Sequence, residues 1–123
     1  MSDLVFLTVE QIKTLHRLSL ERHGGQAGVR DPATLASATM HPCNVWLLDD
    51  IASAYAFHLA EAQAFVDGNK RTGMGAALVF LEGNGFPVPA ATEELYQAMI
   101  AIAERRMNKA GLAEILRKLC GAA

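Results

Sequence analysis

The sequence predicts an all-α fold of about six helices, with two apolar central helices joined by one short polar loop. Three observations carry this. Helix-capping residues recur ahead of runs with three- and four-residue apolar spacing. Gly pairs and Pro punctuate those runs. No run reads as a strand, apart from a possible extended piece at Phe86–Val88.

The first helix follows from Thr8 with Gln11 three residues later, the pattern of a capping box. Val9, Ile12, Leu15 and Leu18 continue it at helical spacing, and Gly24-Gly25 stops it. Asp31-Pro32 reads as a cap followed by proline at the first helical position, opening a helix through about Met40. His41-Pro42 ends that piece, and residues 41–48 read as a loop whose Trp46, Leu47 and Leu48 either tuck into the core, the favoured reading, or form an exposed partner-binding flap. Asp49-Asp50 then caps a helix over about 51–64, in which Glu61 is the one charged residue, so it should lie inside the domain. After the loop, the next helix runs from about Lys70 to Glu82 and closes at Gly83-Asn84-Gly85. Gly73 and Gly75 weaken it by about 1 kcal/mol each relative to Ala, which close helix–helix packing would explain. Thr92 starts a fifth helix to about Arg106, and Asn108 a sixth to about Leu119.

Composition bounds the function. Residues 1–123 read as one domain, 51% hydrophobic and 20% charged, the balance of a globular chain. No apolar run has the roughly 18 residues of a membrane span. The start Met1-Ser2-Asp3 lacks the features of a secretory signal, and Cys43 and Cys120 are isolated, so a reduced cytoplasm is expected. A net charge of −2 argues against direct binding to nucleic acid. The charge is uneven: residues 99–123 carry five Lys/Arg against two Glu, and the rest six against eleven Asp/Glu. A basic tail of this kind is usually a solvated helix face.

The loop Phe65-Val66-Asp67-Gly68-Asn69-Lys70-Arg71 holds the chemistry. Lys70 and Arg71 stand in the first turn of a helix, where the dipole disfavours cations. An anion bound there would reverse that penalty. Gly68 allows a left-handed turn that can aim backbone N–H groups at a phosphate. Asp67 and Asn69 offer oxygen ligands, and one carboxylate with substrate phosphates is a usual way to hold magnesium. The spacing therefore favours an anion or nucleotide-phosphate site over an ordinary Asp-Gly turn with solvated basic residues. A Walker loop does not fit, because Gly-Lys-Ser/Thr is missing and no strand comes before.

Phe65-Val66-Asp67-Gly68-Asn69-Lys70-Arg71-Thr72 resembles the signature loop of the Fic/Doc superfamily, His-x-Phe-x-Asp/Glu-Gly-Asn-Gly/Lys-Arg. His23-Gly24-Gly25, Gly28-Val29-Arg30-Asp31 and Leu35 resemble the N-terminal half of the death-on-curing (Doc) toxins, and Leu78–Leu81 with Asn84-Gly85 their post-loop helix. The resemblance spans about residues 7–119 and implies a nucleotide site. In it Asp67 takes the metal position, Gly68, Asn69 and Arg71 the phosphate positions, and Phe65 anchors the loop. Lys70 and Met74 match Doc rather than the AMP-transferring relatives. The implied activity is transfer of the γ-phosphate of ATP, with magnesium, to a hydroxyl of elongation factor Tu, arresting translation. The implied regulator is a Phd-like antitoxin, since the inhibitory Ser/Thr-x-x-x-Glu-Gly/Asn run of many Fic proteins is missing here.

One position departs from the pattern. The family's catalytic His should stand two residues before Phe65, where this chain has Gln63. An amide cannot accept a proton near neutral pH, and loss of a general base lowers the rate by about 10² to 10⁴. Positioning and charge stabilisation dominate phosphoryl transfer, so a slow enzyme remains compatible with Gln63. His58 and Glu61 are expected on other faces of the helix, and His16 and His23 are explained by packing or exposure, so none replaces the base. Two other readings stand beside the kinase-like toxin: a catalytically silent nucleotide- or antitoxin-binding module, and an AMP transferase.

Overall fold

The structure is a computed structural model describing residues 4–44, 48–88 and 93–120. Among these, six α-helices and no strand appear, as the all-α expectation required. Helix α1 (Val9–His23) begins with the capping box: the Gln11 N–H donates to Thr8 Oγ1 at 3.1 Å, and the Thr8 N–H to Gln11 Oε1 at 2.8 Å. Its buried stripe is Ile12 and His16, with Leu18 51% exposed, so the inward face lies beside the one read from apolar spacing. Asp31 caps α2 (Pro32–Met40) by accepting the Thr34 N–H at 3.1 Å. Residues His41–Asn44 then make a 3-10 turn where a loop was expected. Trp46 and Leu47 lie outside the described residues.

Helix α3 spans Leu48–Ala62, displaced toward the N-terminus from the expected 51–64. Asp49 and Asp50 are thus inside its first turn rather than ahead of it, where negative charge also suits the helix dipole. All of Ile51 to Ala56 is buried, which confirms a helix enclosed on every side. The Tyr55 hydroxyl accepts the Leu7 N–H at 2.8 Å, and its ring lies 5.4 Å from that of Phe80. Helix α4 (Asn69–Gly83) is buried on one face only, through Thr72, Gly73, Ala76, Ala77, Phe80 and Leu81, while Val79 is 37% exposed. The two buried central helices are thus enclosed differently, α3 all round over Ile51–Ala56 and α4 along one face. At the end of α4, Asn84 donates to Phe80 O and pairs with both backbone groups of Val5, pinning the N-terminal segment.

Helices α5 (Glu93–Ala103) and α6 (Lys109–Cys120) cover the other side of α3. Helix α5 ends before the expected Arg106: the Arg106 and Arg105 N–H groups return to Ala101 O and Ile102 O, with Arg105 in a left-handed conformation (φ 62°). Asn108 caps α6, accepting the Gly111 N–H at 2.9 Å. Thr92 lies outside the described residues. Phe86–Val88 forms no strand; one isolated antiparallel bridge joins Val29 to Phe65. None of the described helices is long and apolar enough to cross a membrane.

The two helical glycines of α4 separate. A Cβ on Gly73 would stand 2.6 Å from the Ala56 carbonyl oxygen, so α3 and α4 touch backbone to backbone there. A Cβ on Gly75 would meet nothing within 4 Å, and close packing does not explain it. Gly73→Ala should destabilise by about 1–3 kcal/mol through overpacking, and Gly75→Ala should stabilise by about 0.5–1 kcal/mol through helix propensity. Urea unfolding of the two variants against wild type checks both signs.

His58 is half-buried on α3, stacked on His41 with ring centroids 3.8 Å apart, and Lys109 Nζ donates to its Nε2 at 3.0 Å. Burial first, then the charges of Lys109 and His41, push its pKa down to about 4. The unfolded chain takes up this proton near pH 6.5 and the folded one does not, so His58 weakens the fold as pH falls from about 6.5 to about 4. His58→Gln should show a shallower decline of Tm with acid across that window and match the wild-type slope above pH 7, as read by thermal melts along a pH series.

Candidate functional site

Residues 63–68 carry the chain from the end of α3 to the start of α4. Gln63 leaves the helix with a positive φ of 51°, a conformation uncommon for a residue with a side chain. Its carbonyl accepts from Arg30 Nη2 at 2.6 Å. The Ala64 carbonyl accepts the N–H groups of both Arg30 (2.7 Å) and Asp31 (3.0 Å), and the Val66 N–H donates to Gly28 O at 3.0 Å. The stretch between α1 and α2 thus lies along the loop as a short extended partner. Phe65 is 2% exposed, in agreement with its anchoring role.

Helix α1 supplies the other support. His16 is buried, stacks on Phe65 with centroids 3.8 Å apart and nearly parallel planes, and donates from Nε2 to the Asp67 carbonyl oxygen at 2.7 Å. Gly68 rests against the His16 ring: a Cβ there would lie 3.6 Å from it. Packing does account for His16, but its contact with the loop was missed. The signal was available, because His16 stands four residues after the buried Ile12.

Gly68 adopts the left-handed conformation expected of it (φ 78°, ψ 21°) and begins α4 with no side chain capping the helix. Its own N–H is taken by Asp67 Oδ1 at 2.8 Å, so the row of open donors starts at Asn69 and continues through Lys70 and Arg71. The Asn69 amide closes the loop, accepting the Phe65 N–H at 3.1 Å and donating to Phe65 O at 3.0 Å. Asp67 Oδ2 accepts the Gln26 N–H at 3.2 Å, an approach permitted by Gly25, whose Cβ would come within 2.9 Å of that oxygen.

A cleft of about 510 Å³ opens above this loop. Gln63, Asp67, Gly68, Asn69, Lys70 and Arg71 all line it, so these six candidate residues meet at one place, with Phe65 buried beneath. Glu61 lines it as well. The expectation that Glu61 faces elsewhere treated Gln63 as helical, and the turn at Gln63 removes that premise. His58 is absent from the lining, as its position in the helix implied. The far wall comes from α5 through Tyr96, Met99 and Ile100, with Arg105 beyond the helix end. Lys70, Arg71 and Arg105 make no ion pair among the described residues. No group of three His, Cys, Asp or Glu able to cage a metal occurs among them either. Asp67 retains free lone pairs beside the open donors, which fits magnesium shared with phosphate oxygens rather than a protein-only cage.

The fold and site together define an all-helical domain with an uncapped helix start, a left-handed glycine and two consecutive cations lining a cleft. Residues 6–81 match the model of the Fic/DOC family, and the chain belongs to that family. Over 123 residues it is 28% identical to a protein named protein kinase doc from Escherichia phage P1, covering 95% of this chain and 97% of the relative. Over 74 residues it is 40% identical to a protein named toxin Doc from Mycolicibacterium smegmatis, covering 54% of this chain and 57% of that one.

His16→Phe would keep the ring on Phe65 and remove the donor to Asp67 O. The loss should be about 1–3 kcal/mol, the penalty of a polar group left unpaired. Hydrogen exchange should be faster at the bonded Val66 and Thr72 amides in this variant, with α6 unchanged.

Proposed function

We propose that this chain is a Doc-type toxin that moves the γ-phosphate of ATP onto a protein hydroxyl. One observation carries the reading: Lys70 and Arg71 stand unpaired at an uncapped helix start on the floor of a cleft. The open N–H groups of Asn69, Lys70 and Arg71 would hold phosphate oxygens, and the two side chains would offset charge on the transferred group. Asp67 would hold magnesium together with those oxygens, and the ion when bound neutralises phosphate charge. The bond formed joins the substrate hydroxyl oxygen to the γ-phosphorus, and the bond broken joins that phosphorus to the β–γ bridging oxygen. ADP leaves, and the hydroxyl proton goes to solvent because the Gln63 amide does not accept it.

The relatives' names, protein kinase doc and toxin Doc, support phosphate transfer and toxicity. From the resemblance to Doc toxins we further propose elongation factor Tu as the substrate and a Phd-like antitoxin as the regulator, both in the cytoplasm. A second reading rests on Gln63 itself: the loop binds nucleotide or antitoxin and performs no transfer.

Gln63→His decides between them. The variant, incubated with elongation factor Tu and ATP labelled at the γ or the α position, should transfer γ-label about 10² to 10⁴ faster than wild type. Nucleotide affinity should change little. Label from the α position would refute phosphate transfer in favour of AMP transfer; equal γ-transfer by both proteins would show that no base is needed here, and no transfer of either label would leave the binding module.

A further inference from the structure

Arg105 stands where glycine is expected. It is the left-handed residue that follows α5, and the paired bonds from Arg106 to Ala101 O and from Arg105 to Ile102 O form the motif that usually holds glycine there. A residue with a Cβ is strained in that conformation. The attraction of a cation to a helix C-terminus explains a basic residue nearby, but Arg106 already provides one, and it is paired with Glu104 at 2.7 Å. Nothing in that attraction requires the left-handed position itself.

The location of the strain is informative. Among the described residues, the non-glycine positions with positive φ are Gln63 and Arg105, and both line the same cleft from opposite walls. Strained residues persist where surrounding structure and function hold them. Arg105 is exposed and makes no ion pair with Glu61, although both line the cleft. Its guanidinium therefore stays free of ion pairs in a residue that lines the same cleft as Lys70 and Arg71.

We propose that Arg105 is the third cation of the cleft, contacting the polyphosphate of the bound nucleotide from the α5 wall. The inference rests on the nucleotide-phosphate reading of the loop and adds a ligand contact outside the signature loop. A planar guanidinium donates two parallel hydrogen bonds to phosphate oxygens, which suits a residue held in one backbone conformation. The turn after α5 would thus give up stability for ligand contact.

The test uses the full chain, ATP-magnesium and inorganic tripolyphosphate, with Kd from calorimetry and Tm without ligand. Arg105→Gly should raise Tm by roughly 2–6 °C by relieving the strain. It should also weaken both ligands by about 10- to 100-fold, the effect of losing a hydrogen bond to a charged group. Arg105→Ala should weaken them equally with no rise in Tm, and Arg105→Lys should retain part of the affinity. Arg71→Ala serves as the control for the loop. If Arg71→Ala abolishes binding while Arg105→Gly and Arg105→Ala bind as wild type, this inference is overturned and the loop reading survives. If wild type binds tripolyphosphate in an Arg105-dependent way but not ATP, Arg105 is a polyphosphate ligand, but its contact to a nucleotide is overturned together with the nucleotide reading. No binding of either ligand to wild type overturns both.

Discussion

The backbone contact between α3 and α4 at Gly73 sets the geometry of everything around the cleft. With the Ala56 carbonyl 2.6 Å from where a Cβ would be, the two helices are as close as the chain allows. Residues 63–68 must then reverse direction over a short span, and they do so with left-handed residues at both ends, Gln63 and Gly68. A wider helix spacing would permit a longer, looser connection. Here the start of α4 is fixed tightly to the end of α3, and the open N–H groups of its first turn inherit that precision.

Tight helix spacing alone does not hold the loop, because its backbone groups need partners once they leave the helices. They find them outside α3 and α4. The Ala64 carbonyl takes two N–H groups from the start of the Asp31 turn, Val66 pairs with Gly28, and the Asp67 carbonyl receives the His16 ring. Inside the loop, both functional groups of the Asn69 amide serve the Phe65 backbone. These bonds hold the loop in place, while the N–H groups of Asn69, Lys70 and Arg71 at the helix start are left open. That division is what an anion site needs: rigid walls and unsatisfied donors.

The sequence made much of this legible, for reasons that differ residue by residue. Thr8 with Gln11 and Asp31-Pro32 are local signals, settled by hydrogen bonds within a single turn, and both held. Gly68 is similar, since its conformation depends on a missing Cβ. Asp49-Asp50 misled because an acidic pair suits a cap and a first turn about equally, and only packing against the core decides. Gln63 and Arg105 gave no warning. Neither residue type favours the left-handed region, so their conformations reflect tertiary constraint overriding local preference. The error at Glu61 followed from Gln63, because counting helical faces fails once the helix has ended.

That override bears on the chemistry of position 63. A residue inside α3 would project its side chain at an angle fixed by helical periodicity. Gln63 instead leaves the helix, with its carbonyl held by Arg30, and is a residue of the cleft lining. The backbone thus presents this position to the cleft whichever side chain it carries, and the Arg30 contact is to the carbonyl, which any residue would supply. Exchange of the amide for an imidazole therefore changes proton affinity at the cleft without removing a bond that holds the loop. Architecture and proton chemistry are separable at this position: His16, Asn69 and the Gly28–Asp31 stretch maintain the first, and the side chain at position 63 bears on the second.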